Sequence, residues 1–295
     1  MKQPQIICFG EVLWDILPSG KMPGGAPMNV AIHLTYYGYS PVVISCVGKD
    51  DLARELNAFL QGKHLSTQWI QTSQLYQTGV VKANTSNKQE VTYEIVEPVA
   101  WDYVQYDEQA AKLIKASDVF IFGSLAARNS TSRKTLQQYL KLAKYKVLDV
   151  NLRPPYYSPE LTQDLLDAAD VAKMNHQELN EVTGWLGWSG NEQEQMQALK
   201  QHFNLQLLIV TRGDKGAAVL SERGYEEHQG YQVEVEDTIG SGDAFLATFL
   251  KFYLEGEPVS KALDKACMAG AFVATQKGAT PRIDLTQIEK SFIKS

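Results

Sequence analysis

The sequence predicts a three-layer α/β/α fold in which a mostly parallel central sheet is covered by helices on both faces. Short apolar, β-branched runs recur along the chain, and segments with helical spacing separate many of them. Strands that are apolar along their whole length are typical of parallel sheets, which are buried on both faces. The predicted strands are 6–9, 42–44, 119–122, 147–150, 171–174 and 207–210, and the predicted helices are 28–37, 52–62, 132–144, 161–169 and 192–203.

Two regions depart from this alternation of strand and helix. Residues 11–17 alternate as in a short strand, and residues 78–83 and 91–96 read as two strands around a polar turn at 84–89. We therefore predict a small β-sheet lid, built from about residues 11–22 and 78–104, on a single domain that spans residues 1–295. Because two strands alone are marginally stable, we expect support from the main body or from a second subunit.

Size and composition restrict the class of protein. The 295 residues suit one large α/β domain with an appendage, and the 44% of apolar residues can fill its core. A net charge of −6 argues against nucleic acid as the main partner. No apolar run approaches the ~20 residues of a membrane span, and the first residues do not resemble a secretory signal. Cys8, Cys46 and Cys267 lie in apolar segments, which predicts buried, reduced thiols and a cytoplasmic location.

The stretch from Asp237 to Asp243, followed by an apolar helical run, is the most informative motif. Glycine lets the backbone approach an anion closely, and the first turn of a helix has unpaired N–H groups. We therefore predict that Gly240, Ser241 and Gly242 form a nest for a phosphate-like charge. Beside them, Asp243 can accept the proton of a hydroxyl that attacks a phosphoryl group. A helix cap after a turn is the alternative for so short a motif.

A second glycine motif precedes the first predicted helix. Gly24 and Gly25 would let a ligand approach the backbone, and Asn29 can bond to hydroxyl groups. Upstream, Asp15 can accept two hydrogen bonds from a polyol. The alternative is a turn and a helix cap.

Polar residues also follow two predicted strands, at the edge where α/β sheets bind ligands. Asn151 and Arg153 follow strand 147–150 and are expected to alternate onto one side, where Arg153 can hold substrate or a transferring phosphoryl group. Arg128, after strand 119–122, is a candidate wall of a sugar pocket. A surface arginine before a proline turn is the alternative for Arg153.

Two further motifs suggest a metal and a nucleotide. Asn175 and Glu178, three residues apart, can bind hydrated magnesium, but the same spacing is typical of a capping box, and both interpretations can hold. Thr211, Gly213 and Gly216 form a tight turn that permits close passage beside a nucleotide. A simple hairpin explains that turn equally well.

In this order, the motifs resemble those of the ribokinase-like (PfkB) carbohydrate kinase family. The resemblance covers about residues 6–281. The glycine pair with Asn29 matches the first family signature, and residues 237–243 match the second, whose usual form is D-T-x-G-A-G-D. Ser241 stands where that form has alanine, a small replacement that still permits the nest.

The resemblance implies a ribokinase-like fold and a role for each motif. It implies Asp243 as general base, the backbone of Gly240, Ser241 and Gly242 as an anion hole, and Asn175 and Glu178 as the motif that organises Mg²⁺ through water. The implied sugar contacts are Asp15, Gly24, Gly25 and Asn29, with Asn151 and Arg153 nearby, and the implied ATP loop contains Thr211, Gly213 and Gly216. A monovalent cation such as K⁺ would lie near Asp237, Ile239, Val273, Gln276 and Gly278. The adenine contacts stay open.

Within that family, the chain is most similar to fructokinases. This likeness rests on the form G-G-A-P-x-N, on the opening at residues 8–11 and on residues 98–102. It implies transfer of a phosphoryl group from ATP to D-fructose, and a homodimer through the lid is a hypothesis from lid size and family likeness. The alternatives are a same-fold kinase for ribose, 2-keto-3-deoxygluconate, a sugar phosphate or a nucleoside, and a non-catalytic sugar- or nucleotide-binding regulator.

Overall fold

The computed structural model describes residues 3–18, 20–84 and 92–292. Within these ranges the strands are, in chain order, β1 (Ile6–Phe9), β2 (Leu13–Leu17), β3 (Gly20–Gly24), β4 (Val42–Val47), β5 (Ile70–Thr72), β6 (Gly79–Asn84), β7 (Thr92–Ile95), β8 (Val119–Gly123), β9 (Lys146–Asp149), β10 (Val171–Asn175), β11 (Leu207–Thr211), β12 (Ala217–Ser221) and β13 (Gly224–His228).

The α-helices of the same ranges are α1 (Ala26–Tyr36), α2 (Asp51–Gly62), α3 (Glu108–Ala116), α4 (Ser130–Leu140), α5 (Pro159–Asp167), α6 (His176–Trp185), α7 (Glu192–His202), α8 (Ser241–Leu254), α9 (Val259–Ala274) and α10 (Leu285–Phe292). Short 3-10 helices occupy Ala100–Tyr103, Leu125–Ala127 and Gly213–Lys215.

The main sheet confirms the predicted three-layer fold. Across the described residues its strand order is β13-β12-β11-β10-β9-β8-β1-β4-β5, parallel from β11 to β5 and antiparallel at β12 and β13. Alternate residues of β1 pack into two different hydrophobic cores. Ile6 and Cys8 pack with α1, α2, α8 and α9, whereas Ile7 and Phe9 pack with α3 to α7. The two helical layers therefore cover opposite faces of one sheet.

The lid is a four-stranded sheet in the part of the chain that the structure describes. Its order is β3-β2-β6-β7, and the central pair, β2 and β6, is parallel. The chain before Gly24 therefore supplies the support that an isolated strand pair would lack. Of the predicted turn at 84–89, residues 85–89 lie outside the described residues, as does Val91. The predicted lid extended to about residue 104, whereas β7 ends at Ile95 and Ala100 packs in the core of the main sheet.

The predicted elements are present, with shifted ends. The helix predicted at 132–144 begins at Ser130, because the side chain of Asn129 caps it by accepting from the Thr131 N–H at 2.9 Å. The three cysteines are buried and free, as predicted. Among the described residues, no helix has the length and apolar character needed to cross a bilayer.

Candidate active site

The start of α8 is shaped by Gly240. Its φ is +77°, and a Cβ atom there would lie 2.5 Å from Ala279 Cα, so the position requires glycine. No side chain caps this end of α8. The Ser241 N–H donates to the Thr238 carbonyl at 3.2 Å, and its hydroxyl donates to the Gly270 carbonyl at 2.8 Å. The hydroxyl thereby ties α8 to α9.

Asp243 lies in the first turn of α8 and meets the first glycine motif. The amide of Asn29 donates from Nδ2 to Asp243 Oδ2 at 2.8 Å, across 214 residues of sequence. Burial, followed by the charge of Asp149, raises the pKa of Asp243 to about 6, although Asn29, Lys173 and Arg153 act to lower it. A helix start by itself favours the ionised form, but burial outweighs that effect here. Asp243 is therefore more basic than an ordinary aspartate and still mainly ionised at neutral pH.

The glycine pair is packed against the segment that contains Glu11 and, within β2, Asp15. A Cβ atom on Gly25, whose φ is +120°, would clash with the Glu11 carbonyl, and one on Gly24 would clash with the Asp15 carboxylate. Glu11 Oε1 accepts from the Ala26 N–H at 3.1 Å and so serves the first turn of α1. Glu11 belongs to the opening at residues 8–11 and to the alternating stretch 11–17, but neither pattern predicted a role for its side chain in the site.

Two buried acceptors next to Asp243 have no partner among the described residues. They are Glu11 Oε2 and Asn29 Oδ1, and both side chains are 3% exposed. Burial raises the pKa of Glu11 to about 7 and that of Asp15 to about 6. A buried acceptor without a donor costs free energy. A ligand that brings hydroxyl donors would satisfy both atoms.

Arg153 is the exposed cation of the site. Its charge lowers the pKa values of Asp15, Glu11 and Asp243, so its side chain lies within electrostatic reach of all three carboxyl groups. The prediction that the side chains of Asn151 and Arg153 share one side stays a prediction, but an extended strand does not carry them. The strand ends at Asp149, and Asn151 has a φ of +40°.

Arg128 is buried, and its charge is already paired. Nε and Nη2 donate to Asp102 at 2.6 and 2.8 Å, and Nη2 also donates to the Val96 carbonyl. The guanidinium carbon lies 4.0 Å from the ring centre of Trp101 and 4.7 Å from that of Tyr156. Only Nη1 lacks a partner among the described residues. A sugar contact by Arg128 stays a prediction that depends on this one nitrogen.

Asn175 and Glu178 form the capping box that the sequence allowed. Asn175 Oδ1 accepts from the Glu178 N–H at 2.9 Å, and Glu178 Oε2 accepts from the Asn175 N–H at 2.8 Å. Glu178 Oε1 accepts from the Leu152 N–H at 2.8 Å, which joins this motif to the loop that carries Arg153. Burial, followed by the charge of Asp149, raises the pKa of Glu178.

A buried ion pair between Lys173 and Asp149 lies beneath the start of α8. The two residues are cross-strand partners on β10 and β9, and Lys173 Nζ donates to both carboxylate oxygens at 2.8 and 2.9 Å. A Cβ atom on Gly242 would lie 3.2 Å from that ammonium. In the sequence, both residues are recognisable only as parts of predicted apolar strands. Parallel register, which the chain alone does not specify, brings them together.

A cavity of about 420 Å³ opens beside α8 and contains the predicted nucleotide loop. Thr211, Gly213 and Gly216 line it together with Asn175, Ser241 and Gly242. Gly216, with a φ of +79°, passes so close to the His228 carbonyl that a side chain would clash. No adenine contact was predicted from the sequence. The apolar part of the cavity lining includes Val233, Val235, Phe245, Cys267, Ala271 and Ala274. The cavity has the size and the mixed lining of a cofactor-sized ligand site.

The loop before α8 packs against the end of α9. The Asp237 N–H donates to the Ala274 carbonyl at 3.2 Å, and Asp237 Oδ1 accepts from the Ile239 N–H at 3.0 Å. The Val273 carbonyl accepts from the Gln276 N–H at 2.9 Å, and Gly278 has a φ of +81°. Residues predicted to surround a monovalent cation therefore belong to adjoining turns. Cation binding there stays a prediction.

The acidic groups of the site suit a divalent cation. Besides burial, the charge of Asp149 raises the pKa of both Glu178 and Asp243, whereas Lys173 lowers both values and Arg153 lowers that of Asp243. Among the described residues, no three His, Cys, Asp or Glu side chains form a group that could hold a metal ion. Mg²⁺ usually keeps several waters and binds through one or two carboxylates together with substrate phosphates. Glu178, supported by Asn175, fits a metal bound in this way.

Comparison with known proteins defines the class to which this fold and site belong. A family model described as pfkB family carbohydrate kinase matches residues 18–285. The chain belongs to this family, and it is a phosphotransferase whose acceptor is an alcohol group. The prediction from the two signatures is confirmed.

Individual relatives and solved structures resemble this chain over nearly its whole length. The chain is 29% identical to the probable fructokinase-3 of Arabidopsis thaliana, over 98% of this chain and 91% of that protein. A fructokinase of Xylella fastidiosa with bound ATP has a TM-score of 0.84 at 21% identity, covering 97% and 98% of the two chains. A fructokinase of Vibrio cholerae in a form bound to fructose, ADP and calcium has a TM-score of 0.82 at 23% identity, covering 98% and 99%. These solved structures share the ribokinase-like fold predicted for this chain.

Proposed function

We propose that this protein is an ATP-dependent fructokinase, which transfers the γ-phosphoryl group of ATP to the primary hydroxyl of D-fructose. The products are fructose 6-phosphate and ADP. The observation that carries the proposal is the Asp243 carboxylate, held by Asn29 at the uncapped start of α8 and beside the cavity of about 420 Å³. The resemblance to proteins named fructokinase, over nearly the whole chain, supports fructose as the acceptor.

The sugar would bind between the lid and the start of α1. Asp15 and the unpartnered acceptors on Glu11 and Asn29 would receive hydrogen bonds from its hydroxyl groups. Gly24 and Gly25 let this backbone lie directly against Asp15 and Glu11, because a side chain at either position would clash with them. Asn151, Arg153 and Nη1 of Arg128 are the remaining proposed contacts.

In the proposed reaction, Asp243 accepts the proton of the primary hydroxyl. The hydroxyl oxygen forms a bond to the γ-phosphorus, and the bond from that phosphorus to the bridging oxygen breaks, so ADP leaves with the electron pair. Backbone N–H groups of residues 240–242 would stabilise the charge on the transferring group. The ammonium of Lys173 lies against Gly242 and adds positive potential at the same place.

Mg²⁺ bound with ATP would neutralise phosphate charge. Asn175 and Glu178 would orient its waters, with Asp149 contributing to the negative potential that attracts it. Asp237 and Ile239, with Val273, Gln276 and Gly278, would hold K⁺ next to the anion hole. ATP would occupy the cavity of the nucleotide loop, with its purine toward Val235, Phe245 and Cys267.

ADP release in the presence of ATP, Mg²⁺ and a panel of acceptors tests the proposal. The panel contains fructose, ribose, glucose, tagatose, fructose 6-phosphate, adenosine and 2-keto-3-deoxygluconate. We expect the highest kcat/KM with fructose. A higher kcat/KM with another acceptor would identify that acceptor as the substrate and leave the proposed mechanism unchanged. No acceptor-dependent ADP release by a folded protein that binds ATP would favour a binding protein without catalysis.

A further inference from the structure

Two residues of the proposed ATP site lie side by side at the ends of neighbouring strands. Asn175, the last residue of β10, is the register partner of Thr211, the last residue of β11, and both line the cavity. The next residues along the chain are His176 and Arg212. The proposed mechanism assigns neither of these two side chains a role.

The carboxylate of Glu192 bridges them. Its Oε2 lies 2.7 Å from Nδ1 of His176, and its Oε1 accepts from Nε of Arg212 at 2.8 Å and also from Nη2. Glu192 is the first residue of α7, and its side chain is 14% exposed. One acidic side chain therefore contacts both His176, which follows Asn175 within the magnesium motif, and Arg212, which follows Thr211 within the nucleotide loop.

The other contacts of Arg212 make that side of the bridge rigid. Its Nη1 donates to Glu227 at 3.0 Å and its Nη2 to the Tyr225 hydroxyl at 2.6 Å. Its backbone N–H donates to the Gly216 carbonyl at 2.7 Å, which closes the nucleotide loop. A guanidinium bonded on several edges has a fixed orientation. A displacement of Glu192 is therefore transmitted to the loop through Arg212.

The opposite side of the bridge has less support. His176 is about half exposed, and Glu192 is its one charged partner among the described residues. The adjoining Asn175 and Glu178 hold each other through the capping box, but that box fixes only the first turn of α6. The position of this turn relative to the nucleotide loop depends on the sheet and on Glu192.

We propose that Glu192 is a positioning residue that sets the separation of the nucleotide loop and the magnesium motif, and thereby couples the binding of ATP and Mg²⁺. The inference rests on the proposed function, because it assigns ligands to both motifs. Outer partners of metal-binding residues typically change metal affinity when they are removed. Such coupling is reciprocal, so each ligand affects the affinity for the other equally.

Titration calorimetry of ATP at several Mg²⁺ concentrations tests the inference without using catalysis. For Glu192→Ala, we expect the Mg²⁺ concentration that half-maximally tightens ATP binding to rise about 10-fold, the lower end of the usual effect of such partners. The ATP affinity without Mg²⁺ should change less, and the KM for the sugar should stay unchanged. The Asn191 cap of α7 remains in the variant.

Glu227→Ala is the matched control. The substitution removes another carboxylate partner of Arg212. Among the bonds of the described residues, Glu227 makes no contact with His176. We expect its Mg²⁺ dependence to match that of the unchanged protein. An equal rise in both variants would show that Arg212 alone is responsible and would overturn the bridge.

His176→Ala supplies the second test, and it carries the inference if Glu192→Ala does not fold. We expect the same direction of change, and no additional change when both substitutions are combined. An unaltered Mg²⁺ dependence in His176→Ala would overturn the inference. Failure of the proposed function has a different signature, because calorimetry would then show coupled ATP and Mg²⁺ binding without phosphorylation of any sugar.

Discussion

At the scale of single residues, the chemistry depends on how burial tunes Asp243. The carboxyl group loses hydration and lies near Asp149, while the Asn29 amide and two cations favour its charged form. The balance leaves a pKa of about 6. A general base works best when its pKa is close to the working pH. Asp243 therefore combines availability at neutral pH with more basicity than an exposed aspartate has.

The pH dependence of kcat/KM for the sugar follows from this balance. Because the proposed mechanism uses the ionised form of Asp243 as the base, we expect kcat/KM to fall as pH decreases through about 6. The decline should be steeper than one-proton behaviour, since the proposed sugar contacts Asp15 and Glu11 have pKa values raised to about 6 and about 7. Initial rates between pH 4.5 and 8 check the prediction. A flat profile down to pH 4.5 would exclude a base with a raised pKa.

At the scale of elements, β9 and β10 place the Asp149–Lys173 ion pair below the start of α8. Asp149 and Lys173 are 4% and 7% exposed, and burial acts against the charge of Lys173, but Asp149 outweighs it and raises the pKa of the lysine. A buried pair of this kind adds little net stability, but the loss of one partner is costly. The pair therefore holds the Lys173 ammonium in place under Gly242, and it makes the core sensitive to the loss of either partner.

Replacing one partner of this pair should destabilise the protein strongly. Lys173→Met leaves Asp149 buried and unpaired, and we expect a loss of about 3–5 kcal/mol in the free energy of unfolding. The combination with Asp149→Asn should recover much of that loss, since no uncompensated charge remains. Urea denaturation of both variants measures the difference. Equal stability of the single and double variants would contradict the account of the pair.

The strand ends show what the sequence could predict and what it could not. Glycine motifs and polar residues after apolar runs predicted Asp243, Asn29, Glu178 and the nucleotide loop, because each motif has a local physical cause. The Asp149–Lys173 pair and the Glu192 bridge are contacts between residues 24, 16 and 20 positions apart, set by sheet register and helix placement. The strand that the sequence predicted to end at Val150 ends at Asp149, and the left-handed backbone at Asn151 that follows it had no signal in the sequence.

At the scale of the whole molecule, the lid leaves the edges of a small sheet unpaired within the described residues. In its order β3-β2-β6-β7, the outer strands β3 and β7 each pair on one side only. Unpaired strand edges are natural sites for association with another chain. Together with the family likeness, this supports the hypothesis of a homodimer through the lid.

Light scattering at assay concentration tests that hypothesis. A dimer should give about twice the chain mass of 32.9 kDa. A single-chain mass for the unchanged protein at assay concentration would refute the dimer.

The central claim is that Asp243 activates the primary hydroxyl of fructose. The most direct measurement is the product and its rate of formation for the unchanged protein and for Asp243→Asn, with the phosphorylated carbon identified by NMR. We expect fructose 6-phosphate from the unchanged protein, and about 10²–10⁴-fold slower turnover with nearly unchanged ATP binding in the variant. Phosphorylation at another carbon, or a folded Asp243→Asn protein with full activity, would contradict the account.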